Sequence, residues 1–447
     1  MLILGVMFRI LLNIGVKLKL KSIEIQNFKC FESLSLKFEE QFNVIIGDNA
    51  TGKTSILDAI SFALGTFFIG ARKATNDSRI EFRPLKNNEK RRVLTDSSIN
   101  FKLPFKITLE HYLNNDIYKW SRSTDKVSGG STTYIDASRF IDKACEICSG
   151  MFDEKDKTSL PLIAYYGTER LFNERGQRKP GLKITARTEG YYGALDPRSL
   201  EERFISWFSL EEDKILKFDK DPEHYDAFVE AITTMVPDWN DIRFSWPHET
   251  ILGLMKSGEW VSFDMMSSGY KSIVRLAGDI AYRAIKLNPH LGRNAVKMTH
   301  GVALIDELDM HLHPIWQKDL VGLLKLTFPN IQFITTTHSP FVIQSLRGSE
   351  VIKIADHLPK SISGNVHLKG LEDIVEEEMG VENPRRSKQY ELYFQLATEY
   401  FSLIKNNHGE ESLSGLKERL DEIELYFNDD PVLTALLKLE RKIGESK

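Results

Sequence analysis

The hydrophobic positions along this chain change their period several times, and each period predicts a type of element. Alternating apolar residues, among them Leu34, Leu36 and Phe38, predict strands over residues 18–26 and 34–46. Apolar runs predict further strands within residues 93–123, 159–172 and 242–264 and a βαβ core through residues 302–308 and 331–339. Helical spacing predicts helices within residues 197–235 and 371–447, and no long heptad run interrupts the pattern. The sequence therefore predicts an α/β protein.

The first sixteen residues are apolar but do not predict a membrane anchor. Arg9 and Asn13 interrupt the run, which is shorter than the about 20 residues of a spanning helix. The leading positive charge and the small-residue cleavage site of a signal peptide are also missing. We expect either a start codon assigned too far upstream or a disordered extension.

A glycine-rich turn joins the predicted strand at residues 42–46 to a helix. Residues 47–54 read G-x-x-x-x-G-K-T, and apolar residues follow at helical spacing. The backbone N–H groups of such a turn, together with the helix dipole, cradle phosphate. Lys53 would reach the β- and γ-phosphates, and the Thr54 hydroxyl would hold Mg²⁺. The predicted ATP contacts are Gly47, Asp48, Asn49, Ala50, Thr51, Gly52, Lys53, Thr54 and Ser55.

Composition limits the class of protein. The chain has 447 residues, of which 42% are hydrophobic and 27% charged, as in a soluble protein of two or three domains. A net charge of −4 gives no global basic field for nucleic acid. Cys30, Cys145 and Cys148 are too few for a disulfide framework and favour a reducing cytoplasm. The last two form a CxxC pair in a predicted helix without a second pair, so we expect no zinc there.

A second group of chemically suitable residues lies about 250 residues further along. A buried strand ends in Asp306, which can orient Mg²⁺ from across the sheet, and Glu307 is placed to polarise water against the γ-phosphate. His338 ends the next apolar strand and could donate to the γ-phosphate. The sequence therefore predicts Asp306 as a metal ligand and Glu307 and His338 as catalytic residues.

The segment Ser267, Ser268 and Gly269 precedes another helix and makes a second anion-binding terminus. One nucleotide pocket does not need two such termini. The order of these motifs resembles the ABC-type ATPase heads of the RecF, SMC and OLD proteins, over roughly residues 17–360. The segment SIEIQNFKCFESLSLKF is similar to the opening strands of that family, and NVIIGDNATGKTSILDAI is similar to its first motif.

The resemblance implies that the Ser-Gly signature of one subunit caps the ATP held by another. Ser267, Ser268 and Gly269 thus join the predicted nucleotide contacts, and Lys29 in the opening segment is assigned with them. The signature SSGYKS departs from the commoner L-S-G-G-Q form, although Ser268 and Gly269 keep the hydroxyl and the close approach.

The resemblance also implies a P-loop ATPase head with a mixed sheet. Its parts would be an N-terminal lobe at residues 17–195, a helical insert at 196–240, a C-terminal lobe at 241–370 and a helical tail at 371–447. Two basic segments fall in the N-terminal lobe. One is expected to be solvated: Arg79, Arg83, Lys86, Lys90, Arg91 and Arg92. The other is either a solvated loop or a surface for DNA or a partner: Arg170, Arg175, Arg178, Lys179, Lys183 and Arg187.

Because it lacks a coiled coil, the chain resembles the PtuA-like ATPase subunits of Septu and retron anti-phage modules. This implies a regulatory ATPase, a homodimer or higher homo-oligomer, that controls a separate effector such as a PtuB-like HNH endonuclease. A retron reverse transcriptase with its RNA–DNA is another implied partner, whereas no membrane and no intrinsic nuclease are expected. The alternative is a RecF-like repair ATPase that binds DNA directly and needs a basic face.

The predicted tail is acidic and amphipathic. Residues 371–447 contain eighteen acidic and ten basic residues, a balance that disfavours contact with a phosphate backbone. Three short helices are predicted, with apolar positions that include Phe394 and Ala397 in the first, and with Asp430 and Pro431 opening the third. Their apolar faces must pack within the chain or on a partner, so the tail is a candidate docking platform.

Overall fold

The computed structural model divides into two compact units, Met1–Ile374 and Val375–Lys447, and each is considered by itself. The residues that it describes are 16–95, 98–114, 116–153, 156–171, 187–197, 201–218, 221–362, 364–384, 387–405, 415–420 and 422. The predicted N-terminal extension and the predicted third helix of the tail lie outside these ranges.

Short apolar runs form the strands, as their spacing predicts. The strands are β1 (Leu18–Phe28), β2 (Phe31–Lys37), β3 (Phe42–Ile46), β4 (Arg92–Thr95), β5 (Ser98–Phe101), β6 (Phe105–Leu113), β7 (Asp116–Thr124), β8 (Leu162–Tyr166), β9 (Trp239–Ser245), β10 (Thr250–Met255), β11 (Trp260–Ser262), β12 (Gly301–Ile305), β13 (Ile331–Thr336), β14 (Val351–Ala355) and β15 (Leu358–Lys360). The helices are α1 (Lys53–Thr75), α2 (Ser138–Cys148), α3 (Glu201–Phe218), α4 (Glu223–Met235), α5 (Ser268–Leu287), α6 (Ala295–Met298), α7 (Pro314–Thr327), α8 (Pro340–Gln344), α9 (Leu371–Asp373) and α10 (Lys388–Lys405).

Among the described residues, a mixed sheet has the order β15-β14-β3-β13-β12-β8. Its strands run parallel except β15, which pairs antiparallel with β14. Every residue of β3, β8, β12 and β13 is buried, as expected for parallel strands covered on both faces. The carboxyl ends of β3, β12 and β13 lie at one edge, which brings the three predicted motifs together. This confirms the predicted α/β fold with a mixed sheet.

A second, antiparallel sheet has the order β2-β1-β6-β7 and lies beside α1 and α2. Helix α1 is long and apolar enough to cross a membrane by length and composition, but 78% of its most apolar window is buried inside the fold. Gly70 allows α2 to approach closely, because a Cβ there would lie 2.4 Å from the Ile141 carbonyl oxygen. The CxxC pair lies on α2, and the described residues contain no group of three or more His, Cys, Asp or Glu side chains placed to hold a metal ion.

The predicted helical insert contains α3 and α4. The Trp207 ring lies 5.4 Å from the Phe228 ring and 5.6 Å from that of Tyr282 on α5. The two helices therefore pack on the helix that carries the Ser-Gly signature. The boundaries of the insert, the lobes and the tail stay predictions.

The prediction that the first basic segment is solvated is wrong for Arg83 and Lys90. The second segment, for which a solvated loop and a contact surface were both open, begins and ends with buried arginines. Arg83 pairs with Asp58 and Glu89 at 2.8 and 2.5 Å, and Lys90 is buried, where it donates to three carbonyl oxygens. In the second segment Arg170 and Arg187 are only 3% and 7% exposed. Charge density along the sequence did not reveal that these side chains cap buried main-chain carbonyls. The other four, Arg175, Arg178, Lys179 and Lys183, lie outside the described residues.

A buried histidine makes a testable contribution to stability. His111 on β6 lies against the rings of Tyr118 and Phe140, at 5.6 and 4.4 Å. Neither ring nitrogen has a hydrogen-bond partner in the described residues, and burial lowers the pKa of His111 to about 3. The folded protein therefore holds this imidazole neutral at pH values where the unfolded chain protonates it.

We expect the free energy of unfolding to fall by about 1.4 kcal/mol for each pH unit below about 6.5 on account of His111 alone. In His111→Leu the difference in unfolding free energy between pH 7 and pH 5 should be smaller than in wild type by about 2 kcal/mol. Urea titrations at the two pH values measure it. Any effect of the substitution on packing cancels in this difference, because each protein is compared with itself at the two pH values. An equal pH dependence of the unfolding free energy in both proteins would contradict the assignment of this effect to His111.

Candidate active site

The glycine-rich turn between β3 and α1 has a geometry that demands its glycines. Gly52 has φ 97°, and a Cβ there would lie 2.5 Å from the Cys30 Sγ. A Cβ on Gly47 would lie 2.2 Å from the Ile354 carbonyl oxygen. The turn therefore wraps tightly in front of α1, whose first N–H groups lack partners within the helix and point at the site. This arrangement can hold an anion.

Lys53, the first residue of α1, lies folded across this turn. Its Nζ donates to the carbonyl oxygens of Gly47 and Asp48, at 2.8 and 2.9 Å. Burial lowers the pKa of Lys53, while the nearby carboxylates of Asp306, Asp48 and Glu307 act in the opposite direction. The ammonium group thus lies at the rim of the anion-binding turn.

The carboxyl end of β12 presents its acids toward the same turn. Asp306 is buried, and its two carboxylate oxygens accept hydrogen bonds from Thr54 Oγ1 at 2.8 Å and Thr336 Oγ1 at 2.6 Å. A hydroxyl and a carboxylate in contact make the oxygen donor set that Mg²⁺ takes beside substrate phosphates. Thr54 and Asp306 are therefore suited to hold that ion.

Glu307 and His338 complete the cleft from two neighbouring strands. Glu307 has φ 47°, a left-handed conformation, and its N–H donates to Thr336 Oγ1 at 2.8 Å. His338 follows β13 and is exposed, and its N–H donates to Asp309 Oδ1 at 3.3 Å. Asp309 also accepts from the Thr337 hydroxyl. The main chain at both functional residues is thus held by hydrogen bonds to a hydroxyl or a carboxylate group.

These groups line one cleft with a volume of about 370 Å³. Its walls are Lys29, Cys30, Asn49, Ala50, Gly52, Lys53, Thr54, Ser55, Asp306, Glu307, Thr336 and His338. Of the contacts predicted in the turn itself, residues 47–55, three lie outside this lining. Gly47 and Asp48 supply the carbonyls that hold Lys53, and buried Thr51 supports the turn through a 2.9 Å bond from its hydroxyl to the Asp48 carbonyl.

Lys29 enters the cleft from the turn between β1 and β2, where it has φ 47°. Its ammonium forms an ion pair with Asp58 on α1, which pairs in turn with Arg83. The side chain is therefore anchored at the cleft wall.

The Ser-Gly signature does not line this cleft. Ser267 and Ser268 are exposed, and a Cβ on Gly269 would lie 3.0 Å from the His311 carbonyl oxygen. Tyr270 anchors the terminus, because its hydroxyl donates to Asp238 at 2.7 Å and its ring lies 4.4 Å from that of Trp316. The start of α5 thus lies next to the turn that follows Glu307 and presents its serines to solvent.

Reasoning from sequence missed several residues around the cleft. Thr336 and Thr337 were visible only as a threonine run at the end of a buried strand. Asp309 follows Asp306 and Glu307 so closely in sequence that its own role could not be distinguished from theirs. Arg170, whose guanidinium contacts the main chain of both cleft acids, was interpreted as part of a basic surface.

Comparisons with known proteins show which family this chain belongs to and what it is similar to. Residues 19–357 match the model of the RecF/RecN/SMC N terminal domain, so the chain belongs to that family and is an ABC-type ATPase of the RecF/SMC group. It is 27% identical to the "Retron Vc95 probable ATPase" of Vibrio cholerae serotype O1 biovar El Tor, over 77% of this chain and 74% of the relative. It is 24% identical to "Septu protein PtuA" of Bacillus thuringiensis, over 95% and 98% of the two chains. Among solved structures, an SMC head domain from Thermotoga maritima aligns with TM-score 0.43 at 14% identity, covering 77% of this chain and all of that one.

Proposed function

We propose that this protein binds ATP with Mg²⁺ in the described cleft and hydrolyses it between two copies of the chain. The observation that supports this most directly is the convergence of five side chains from three chain segments on one cleft: Lys53, Thr54, Asp306, Glu307 and His338. They are the groups that phosphoryl transfer to water requires: a phosphate-binding cation, metal ligands, a base and a hydrogen-bond donor.

Each side chain has a separate task in this proposal. Lys53 leaves the Gly47 and Asp48 carbonyls to contact the β- and γ-phosphates. Thr54 and Asp306 would hold Mg²⁺, which would supply neutralisation of the charge on the phosphate oxygens. Glu307 accepts a proton from the water that attacks the γ-phosphorus, the bond to the β-phosphate oxygen breaks, and ADP and phosphate leave. His338 donates to a γ-phosphate oxygen.

The proposal includes a second copy of the chain because the Ser-Gly signature lies outside the cleft of its own subunit. Exposed Ser268 and half-buried Gly269 open a helix terminus that can accept an anion. Met265, three residues before it, and Ile315, next to the Trp316 whose ring contacts Tyr270, are 82% and 67% exposed. Such a patch of polar N-terminus and apolar rim suits a surface that another head covers. The terminus would then cap the γ-phosphate that the partner subunit holds.

We propose further that the ATPase is the regulatory subunit of an anti-phage defence complex. The relatives named for retrons and Septu span most of this chain, which supports that setting. The effector would be a separate subunit, an HNH-type nuclease, and a retron reverse transcriptase with its RNA–DNA would be a further component. Direct DNA binding in the manner of RecF is the alternative. The described ends of the basic segment at residues 170–187, Arg170 and Arg187, are buried and so do not offer their charges to a phosphate backbone.

The tail is the proposed docking platform for the effector. Within the unit Val375–Lys447, α10 buries Leu396, Ala397 and Tyr400, whereas Leu392 and Phe394 are 44% and 57% exposed. The exposure of Phe394 departs from the sequence pattern, which placed it on the apolar face with Ala397. A helix that buries some of its apolar side chains and exposes others can serve packing and docking together.

Deleting residues 384–447 should leave a head that binds ATP but no longer recovers the effector. The reason is that the deletion removes α10 without removing any residue of the cleft. A pull-down from cells that express the native operon measures it, and Leu392→Glu with Phe394→Glu is the milder matched variant. Recovery of the effector at the wild-type yield by the truncated head would contradict the platform.

A further inference from the structure

We propose that Arg170 is a positioning residue that sets the direction of the Glu307 side chain by holding the main chain on both sides of it. This inference rests on the proposed ATP hydrolysis and adds a residue to its machinery. It concerns a side chain that lies behind the cleft and does not line it.

The contacts of Arg170 lead to this assignment. It lies on a short 3₁₀ turn, Thr168–Leu171, directly after β8, which pairs parallel with β12. Its Nη1 donates to the Asp306 carbonyl oxygen at 2.5 Å and to the Gly167 carbonyl at 3.0 Å, and its Nη2 donates to the Glu307 carbonyl at 2.8 Å. The guanidinium therefore joins the ends of two neighbouring strands.

The two carbonyls that accept these bonds belong to the two peptide planes that flank the Glu307 Cα. The Asp306 carbonyl is in the plane before it, and the Glu307 carbonyl is in the plane after it. With both planes held, the Cα–Cβ direction of Glu307 is fixed, because the peptide bond itself is planar. Glu307 also has φ 47°, a conformation that L residues adopt rarely without support from their surroundings.

Burial makes this support rigid, and the guanidinium keeps its charge in spite of it. Arg170 is only 3% exposed, so its donors cannot exchange their carbonyl partners for water. Burial lowers the pKa of Arg170 to about 10, and the nearby carboxylates of Asp306, Glu307 and Asp309 oppose that effect, so the side chain is charged at neutral pH. Its Nε is buried without a hydrogen-bond partner in the described residues. The position of the guanidinium group is therefore set by the carbonyls that accept hydrogen bonds from Nη1 and Nη2.

Substitution by lysine separates this role from a general need for a buried cation. Lysine keeps the charge but lacks the planar fork, so it cannot hold both peptide planes in fixed geometry. We expect Arg170→Lys to lower kcat on the order of 10²-fold, as a misplacement of about 1 Å does, while the affinity for a fluorescent ATP analogue changes less than about threefold. Arg170→Gln, which keeps a planar amide donor, should also lower kcat. It is the variant to measure if Arg170→Lys does not fold.

Arg187 provides a matched control. It is likewise buried, and within the described part of the chain it donates to the main-chain carbonyls of Leu287, Asp156 and Thr158, none of which lines the cleft. Arg187→Lys should reduce the midpoint of thermal unfolding as Arg170→Lys does and leave kcat near the wild-type value. An equal loss of kcat in both variants would overturn the positioning role.

The deciding experiment is a double-mutant cycle with Glu307→Gln, measured by ATP turnover in the full-length chain. If Arg170 acts through Glu307, Arg170→Lys should have almost no further effect on the residual rate of Glu307→Gln. A further loss of the full size, so that the two effects multiply, would overturn the inference while leaving ATP hydrolysis in place. A wild-type rate in Glu307→Gln alone would overturn the proposed function and this inference together.

Discussion

Lys53→Ala should lose nucleotide binding, whereas Glu307→Gln should bind ATP normally and hydrolyse it about 10²–10⁴-fold more slowly. Lys53 offers an ammonium group at the anion-binding turn, where it donates to the Gly47 and Asp48 carbonyls. Losing a charge-assisted contact of this kind costs about 2–3 kcal/mol, which is on the order of 10²-fold in affinity. Glu307 acts only when water attacks, so its amide should retain ground-state binding. Equilibrium binding and steady-state turnover measure the two effects.

Lys73→Ala is the control for this comparison. Lys73 is on the same helix but 62% exposed, and it pairs with an exposed carboxylate, that of Asp142. Its substitution should change neither binding nor turnover. Equal ATP affinity in the Lys53→Ala variant and wild type would show that the cleft does not hold phosphate in the way proposed here.

ATP should drive two copies of the Glu307→Gln variant together. The variant would keep ATP bound, and the exposed start of α5 in each copy would then contact the γ-phosphate that the other copy holds. Sedimentation velocity with and without ATP should show a rise in mass toward a dimer. Adding Ser268→Arg should abolish the rise without weakening ATP binding, because Ser268 does not line the cleft of its own subunit. The nucleotide-free mass is the reference, and an ATP-bound variant of unchanged monomeric mass would contradict head association.

Local patterns in the sequence were sufficient for the cleft itself. The turn at Gly47–Gly52 is flanked by an apolar strand and an apolar helix, and Asp306 and His338 each end an apolar strand. Because carboxyl ends of parallel strands share one edge of a sheet, these groups had to meet once the βαβ order was recognised. The family match over residues 19–357 agrees with this interpretation of the order of the motifs.

Features that depend on contacts between distant segments could not be predicted in the same way. Arg170 reaches carbonyls 136 and 137 residues away. Its neighbours in sequence, which are basic and polar, instead suggested either a solvated loop or a surface for DNA or a partner. The direction in which Ser268 points depends on how α5 packs beside the His311 turn, which no periodicity contains. Helical spacing likewise placed Phe394 on the buried face of α10, where the structure leaves it 57% exposed.

Mixing two inactive variants tests the shared active site most directly. Lys53→Ala copies lack the phosphate contact but keep their signature, and Ser268→Arg copies keep the phosphate contact but lack the signature. A pair made of one copy of each contains one site with both halves intact. ATP turnover of the mixture should therefore exceed the sum of the turnovers of the two variants measured separately. A mixture that hydrolyses ATP no faster than that sum, at concentrations where the wild type is active, would contradict an active site shared between two copies.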